Sequence, residues 1–242
     1  MLKNYQYIPT TQSTNIFLKE KLKTETLPEF FAVRTAFQTA GKGQIGNSWE
    51  AERGKNLLCS MLLYPHHIAI QEQFIISQII SVAIVNTLKE YCTGFEIKWP
   101  NDIYFGNKKI GGILIENSLR ASQIEYSIIG IGLNINQKVF KSDAPNPISL
   151  AQIIGKNVSV KTILSKLIYQ IKEFHQTSNY SPIKQNYLKY LFRGNGIYRF
   201  KTPQSEVFEA SIYKIEDDGQ LILKTKNNVI QSFYFKEVEF VL

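Results

Sequence analysis

The chain has 242 residues and a formal net charge of +8, with 44% hydrophobic and 20% charged residues. This is an ordinary soluble globular composition, long enough for one large domain and a small one. Nothing in it resembles a membrane-spanning helix, since no apolar stretch approaches the roughly 20 residues that a span needs.

The start, MLKNYQYIPTTQST, lacks the apolar core of a signal peptide. Cys59 and Cys92 sit among apolar neighbours, outside any metal-type or redox spacing. Both are expected as buried, reduced thiols of a cytoplasmic protein. The positive charge invites a nucleic-acid reading, but lysines and arginines are dispersed and mix with acids. The clusters at 19–23 and 184–193 read as polar helix faces, so a basic rim for an acidic macromolecular substrate is the better account.

In chain order, the hydroxyl-rich run 10–14 precedes Asn15, Ile16, Phe17 and Leu18 as a helix start, where one of Ser13 and Thr14 caps and the other is free for a polar ligand. Residues 30–37, aromatic and β-branched, read as a strand that runs into QTAGKGQIGNSWEAER at 38–53. Glycines at 41, 43 and 46 expose backbone N–H groups of the kind that cradle phosphate or carboxylate. The segment is neither a Walker loop nor a dinucleotide fingerprint, because no Gly-Lys-Ser/Thr closes it and no helix follows. Trp49 within it is placed to close over a ligand ring.

Residues 56–64 read as a buried strand, and 74–91 as a helix apolar on most sides, packed across a sheet. The next stretch, KWPNDIYFGNKKIGGILIE at 98–116, organises the chain. Pro100 stops a strand near Trp99 and leaves Asn101 and Asp102 at its mouth. After a turn at Gly106-Asn107, Lys109 starts the returning strand, and Gly111-Gly112 admit close approach of a backbone or ligand. A cation, a carboxylate and an amide thus converge beside little side-chain bulk. The plain alternative is an ordinary hairpin with a solvated charged edge.

YSIIGIGLNIN at 126–136 should lie centrally beside this hairpin, with Asn134 near its end. Residues 137–147 read as a loop, followed by helices at 149–154, 160–176 and 183–192. Five short strands follow, at 198–202, 207–215, 220–224, 228–235 and 238–242, with a boundary near 193–195. His66, His67 and His175 read as surface histidines, and Glu116 as a strand end or an orienting group.

GKGQIGNSW, then KWPNDIYFGNKKIGGILIE, then GIGLNIN resemble the biotin protein ligases (biotin–acetyl-CoA-carboxylase ligases), over essentially the whole chain. The resemblance implies an α+β fold. A mixed central sheet with flanking helices, class II synthetase-like, forms a catalytic domain over 1–193, and a small SH3-like β-barrel occupies 194–242. It implies a monofunctional enzyme without an N-terminal DNA-binding domain, hence no DNA, as a monomer or homodimer. The activity implied is ATP-dependent: biotin is converted to biotinyl-5′-AMP with Mg²⁺ present, then transferred to a lysine of a biotin carboxyl carrier protein domain of a biotin-dependent carboxylase. Biotin would meet Ser13, Thr14, Asn15, Gln38, Lys42, Gly43, Gln44 and Lys109. The nucleotide would meet Trp49, Asn101, Asn134 and Gly112, and Asp102 would hold Mg²⁺. Lys109, Asp102 and Lys42 carry the catalytic expectation.

Where many members have Gly-Arg-Gly-Arg-Arg-Gly, this chain has Gln44 and Ile45 in place of the last two arginines. Fewer charge-assisted bonds should then hold the adenylate, which predicts looser retention. A lipoate or octanoate ligase would share the acyl-adenylate logic, and a nucleic-acid-binding module is the non-enzymatic alternative.

Overall fold

The computed structural model describes residues 4–44, 46–141 and 146–241. The first sheet contains β1 (Tyr5–Thr11), β2 (Ala32–Gln38), β3 (Leu57–Leu63), β4 (Phe95–Lys98), β5 (Asp102–Phe105), β6 (Lys108–Arg120) and β7 (Gln123–Leu133). Their order is β1-β2-β3-β7-β6-β5-β4, which puts β7 at the centre as its glycine-broken apolar sequence requires. β1 runs parallel to β2 and the other neighbours are antiparallel, so the sheet is mixed.

Alternation along the central strands decides what each face does. Leu57, Cys59, Met61 and Leu63 of β3, with Ile129, Ile131 and Leu133 of β7, join the main core. That core includes α2 (Phe74–Lys89), buried on nearly every side between the sheet and the helices α4 (Val160–His175) and α5 (Ser181–Lys189). A Leu or Ile truncated to Ala at such a position typically costs 2–5 kcal/mol, roughly. On the opposite face Leu62 and Ile128 pack with Leu18 of α1 (Thr14–Leu22) in a smaller cluster. That face is only partly covered, and the remainder is the cleft described below.

The helices after the sheet begin where the sequence places them. Ser149 and Gln152 form a capping box at α3 (Leu150–Ile154), which ends at Gly155 with φ 75°. The Ser159 hydroxyl accepts from the Thr162 N–H at the start of α4.

The C-terminal strands are β8 (Tyr198–Lys201), β9 (Val207–Ile215), β10 (Leu221–Thr225), β11 (Ile230–Phe233) and β12 (Glu239–Phe240). They form a separate antiparallel sheet in the order β11-β10-β9-β8-β12. β11 and β12 are its two edges, so the expected barrel stays open. The Trp99 indole donates to the Gly219 carbonyl at 2.9 Å, tying this sheet to the first.

Several sequence expectations need correction. β1 was hidden behind a hydroxyl-rich run, because Pro9 and the two threonines after it do not read as a strand; at a sheet edge a proline costs no ladder bond. The 98–116 segment contains three strands rather than two, and Asp102 opens β5, paired with both Lys98 and Gly112. The Trp99-Pro100 peptide is cis. Gly111 faces the core, where an added Cβ would meet Leu133 Cδ2 at 2.3 Å, so only Gly112 serves the cleft. Cys59 is buried but Cys92 is only half-buried. No helix among the described residues is long and apolar enough to cross a membrane.

His66 and His67 are exposed, but His175 is 2% exposed. Its Nε2 lies 3.0 Å from Glu29 Oε1, with Phe30 edge-on and the His67 ring 5.0 Å away. The His67 Nε2 in turn lies 2.7 Å from the Tyr180 hydroxyl. Burial pushes His175 below the usual imidazole range; Glu29 opposes this and His67 adds to it. A depressed folded-state pKa means that the unfolded chain binds the proton more tightly. Stability from this group is present above the ordinary value near 6.5 and is lost as pH falls below it. The thermal midpoint should therefore drop between pH 7 and pH 5, and His175→Gln should flatten that drop; identical pH profiles for the two proteins would contradict the assignment.

Candidate functional site

The cleft face of the sheet is bare because glycines occupy it. Gly112 of β6 pairs directly with Gly132 of β7, and Gly130 lies two residues along on the same side. A Cβ on Gly132 would sit 2.6 Å from Trp49 Cε2, one on Gly112 would sit 3.2 Å from Trp49 Cζ3, and one on Gly130 would sit 2.5 Å from Asn15 Oδ1. The indole and the Asn15 amide therefore rest on backbone that only glycine leaves open.

Trp49 is held there by its loop. The Trp49 N–H donates to Gly41 O, Gly43 N–H to Asn47 O, and Asn47 N–H to Gln44 O, at 2.8–2.9 Å. Lys42 and Ser48 bridge across the loop. The Gly43 N–H is thus spent within the loop, while Lys42 is exposed at its rim. Ile45 lies outside the described residues.

Lys109 and Asp102 converge as the sequence suggested. Lys109 Nζ lies 2.7 Å from Asp102 Oδ1, each about a quarter exposed (29% and 22%), and 5.8 Å from the centre of the Trp49 ring. The register of β5 on β6 creates the pair, since Asp102 opposes Gly112 and a bulge brings Lys109 alongside. Asn101 braces this corner: its Nδ2 donates to Ile113 O at 2.5 Å, and its carbonyl accepts from the Ile113 N–H. Lys98 stands nearby, its Nζ 3.2 Å from the Tyr104 hydroxyl. Burial lowers the Lys98 pKa, against the pull of Asp102, and pushes Tyr104 up to about 12. Sequence reasoning missed Lys98 as a site residue, although it opens the same motif.

At the other end Thr14, Gln38 and Asn15 converge. The Gln38 Oε1 accepts from the Thr14 N–H at 2.8 Å and lies 3.1 Å from its hydroxyl. Neither Ser13 nor Thr14 caps α1 through its side chain, so the capping expectation fails and the Ser13 hydroxyl is free of that duty. The Asn15 amide is committed to Ser60 and Glu116. Glu116 reads from sequence as a strand end or an orienting group, whereas Ser60 goes unread, since nothing local marks a serine on a neighbouring strand.

Two cavities share this floor. One of about 130 Å³ is lined by Ser13, Thr14, Gln38, Gly112, Gly130 and Gly132, among others. The second, about 1030 Å³, runs from the Gly loop past Lys98 and Asn134 to Phe235 and Phe240 of the C-terminal segment. Trp49, Asn101, Asp102 and Lys109 line both. Among the described residues, Trp49 Nε1 and Asn134 Oδ1 are buried without a hydrogen-bond partner. Both belong to residues that line the larger cavity, where a polar ligand would complete their hydrogen bonding.

Residues 7–134 match the biotin/lipoate A/B protein ligase family, more than half of the chain, and the chain belongs to that family. It is 28% identical to the bifunctional ligase/repressor BirA of Bacillus subtilis, over 97% of this chain and 72% of that protein. It is also 28% identical to a biotin–acetyl-CoA-carboxylase ligase of Paracoccus denitrificans, over 77% of this chain and 81% of that one. In fold it resembles the biotin protein ligase of Aquifex aeolicus solved with biotin and ATP (TM-score 0.81, 23% identity), over 99% of this chain and 100% of that one.

The glycine floor can be checked directly. Gly132→Ala places a methyl group inside van der Waals distance of the indole, so Trp49 must leave its seat. Tryptophan emission should shift to the red, at a stability cost of about 1–3 kcal/mol from overpacking, with far-ultraviolet circular dichroism unchanged. An unshifted spectrum would place the indole elsewhere.

Proposed function

We propose that this member of the family is an ATP-dependent biotin protein ligase, which makes biotinyl-5′-AMP and transfers the biotinyl group to a lysine of a biotin carboxyl carrier protein. The observation that carries this reading is the meeting of two cavities at the Lys109–Asp102 pair. An acid held in the small pocket and a nucleotide in the large one would place their reacting atoms there. The Paracoccus relative and the Aquifex structure, both named as biotin ligases, support biotin over lipoate or octanoate.

In the first step a biotin carboxylate oxygen bonds to the α-phosphorus of ATP as the bond to the β-phosphate oxygen breaks, releasing pyrophosphate. Two anions must approach, and Lys109 between them offsets their repulsion and the charge that develops on phosphorus. Ser13, Thr14 and Gln38 offer hydroxyl and amide groups to the ureido ring, while Lys42, Gly43 and Gln44 border the valeryl chain. Trp49, Asn101 and Asn134 line the large cavity and are assigned to the nucleotide, whereas Gly112 lines only the small one, against its expected nucleotide role. The residues fit Mg²⁺ as an ion that arrives with ATP: no group of three His, Cys, Asp or Glu among the described residues could hold a metal alone, and one oxygen of Asp102 remains beside its bond to Lys109. Mg²⁺ commonly binds through one or two carboxylates together with substrate phosphates, whose charge it would neutralise.

In the second step the carrier's neutral lysine amine attacks the acyl carbon, AMP leaves with the anhydride electrons, and the amine loses a proton. Asp102 is the local carboxylate that can receive it. The net charge of +8 suits an acidic carrier. We assign catalysis to residues 1–193 and an accessory role to the C-terminal sheet.

ATP–pyrophosphate exchange with biotin, lipoate and octanoate tests the reading. Exchange with biotin alone is expected, and none with any of the three from folded protein would sink it. Lys109→Ala should lower biotin-dependent exchange about 100-fold, the scale for losing one charge-stabilising donor. It should change stability by less than about 1 kcal/mol, as expected for a partly exposed ion pair.

A further inference from the structure

Behind the small pocket runs a file of hydrogen-bonding groups from Glu116 through Asn15, Ser60 and Thr14 to Gln38. Asn15 Nδ2 donates to Glu116 Oε2 at 2.6 Å and weakly to the Leu114 carbonyl at 3.5 Å. A carboxylate and a carbonyl can only accept, so the Asn15 amide cannot flip and its Oδ1 faces Ser60. At the far end the Thr14 N–H can only donate, which fixes Gln38 with Oε1 inward and Nε2 turned towards Gly41.

Two hydroxyls stand between these two fixed acceptors. The oxygen separations are 2.5 Å from Ser60 to Asn15, 2.7 Å from Ser60 to Thr14, and 3.1 Å from Thr14 to Gln38. Three gaps must be filled with two protons. The shortest takes the Ser60 proton, and the Thr14 proton is left with Gln38 Oε1 and Ser60 Oγ as its acceptors, so no hydroxyl donates to Thr14 Oγ1. Thr14 Oγ1 then faces the pocket as an acceptor, beside Gln38 Nε2 as a donor, and both residues line the pocket. That pair matches one edge of a cyclic urea, whose carbonyl accepts and whose N–H donates.

Resting on the reading of this pocket as the biotin site, we propose that Glu116 and Ser60 are positioning residues that set the hydrogen-bond polarity of the wall for a cyclic urea. Glu116 sits on the exposed side of β6, so its charge can be reversed without disturbing a core. In Glu116→Lys the ammonium draws Asn15 Oδ1 to itself, and Nδ2 donates to Ser60. Ser60 then donates to Thr14 Oγ1 and takes up acceptor capacity that the ligand N–H would use, while the Thr14 proton stays with Gln38 Oε1.

The test uses the full chain, with biotin binding by calorimetry and biotin-dependent pyrophosphate exchange. Glu116→Lys should raise the biotin Kd and KM about tenfold, as expected for a lost and mismatched hydrogen bond. Its kcat at saturating biotin and its KM for ATP should stay within about twofold of wild type. Glu116→Gln, whose amide oxygen still accepts from Asn15, should recover most of the loss. In a Ser60→Ala background the relay is cut and Glu116→Lys should cost no more than about twofold, whereas a simple field effect of the new charge would persist. Biotin affinity within twofold of wild type in folded Glu116→Lys, or an undiminished penalty in Ser60→Ala, would overturn the proposal. If Glu116→Lys fails to fold, Glu116→Leu carries the test, because a freed Asn15 amide should weaken biotin about threefold; no change would count against the proposal. Wild-type protein that binds no biotin would instead bring down the functional reading, and this inference with it.

Discussion

In β6 and β7 every second residue faces the helices and every other one faces the cleft, and a slip of one residue would exchange them. Ile113, Ile129, Ile131 and Leu133 fill the buried side, while Gly112, Gly130 and Gly132 empty the other. Glycine in a strand costs about 0.5–1 kcal/mol relative to alanine, so three of them are a burden that the backbone alone does not explain. The apolar face over α2 offsets it. The register is therefore fixed from the core side, and the cleft side is free to be shaped for a ligand. Trp49 and Asn15 have their seats only because that register holds.

The charges depend on the same sheet. Asp102 and Lys109 come from different strands and meet through the β5–β6 register, so neither side chain needs a loop to position it. Lys98, across the β4–β5 pair from Asp102, adds a second cation that burial disfavours. One carboxylate between two lysines leaves an excess of positive charge, and an anion between them would relieve both the repulsion and the desolvation. A site for a phosphate-bearing ligand and an acid would be built in this way.

Much of this was legible because its signals are local. Pro100, the Gly106-Asn107 turn and the glycines of 98–116 located the hairpin and its polar mouth, and the apolar residues of 74–91 announced a buried helix. What stayed hidden was non-local. β1 gains its strand character only from pairing with β2, and β5 is a separate strand only because β4 and β6 flank it. His175 reads as a surface histidine, but Glu29, Phe30 and His67 cover it. Ser60 gave no sign of a role because its partners, Thr14 and Asn15, lie about 45 residues away in sequence. The open C-terminal sheet differs from the expected barrel for a related reason: strand number is visible in turns, whereas closure depends on whether two edges meet.

The C-terminal sheet is bound to the first by more than chain continuity. Phe240 packs against Phe192, whose ring meets Tyr104 of β5, and Lys98 Nζ lies 5.6 Å from the Phe240 ring. The Trp99 indole reaches the Gly219 carbonyl. The last two contacts fall on the residues that immediately precede Asn101 and Asp102, so the C-terminal strands hold the mouth of the motif as well as walling the larger cavity. A movement of this sheet would be felt first at Lys98 and Trp99, then at the ion pair, because Asp102 is the cross-strand partner of Lys98. The wall of the larger cavity and the corner where the two cavities meet are therefore joined through Lys98 and Trp99.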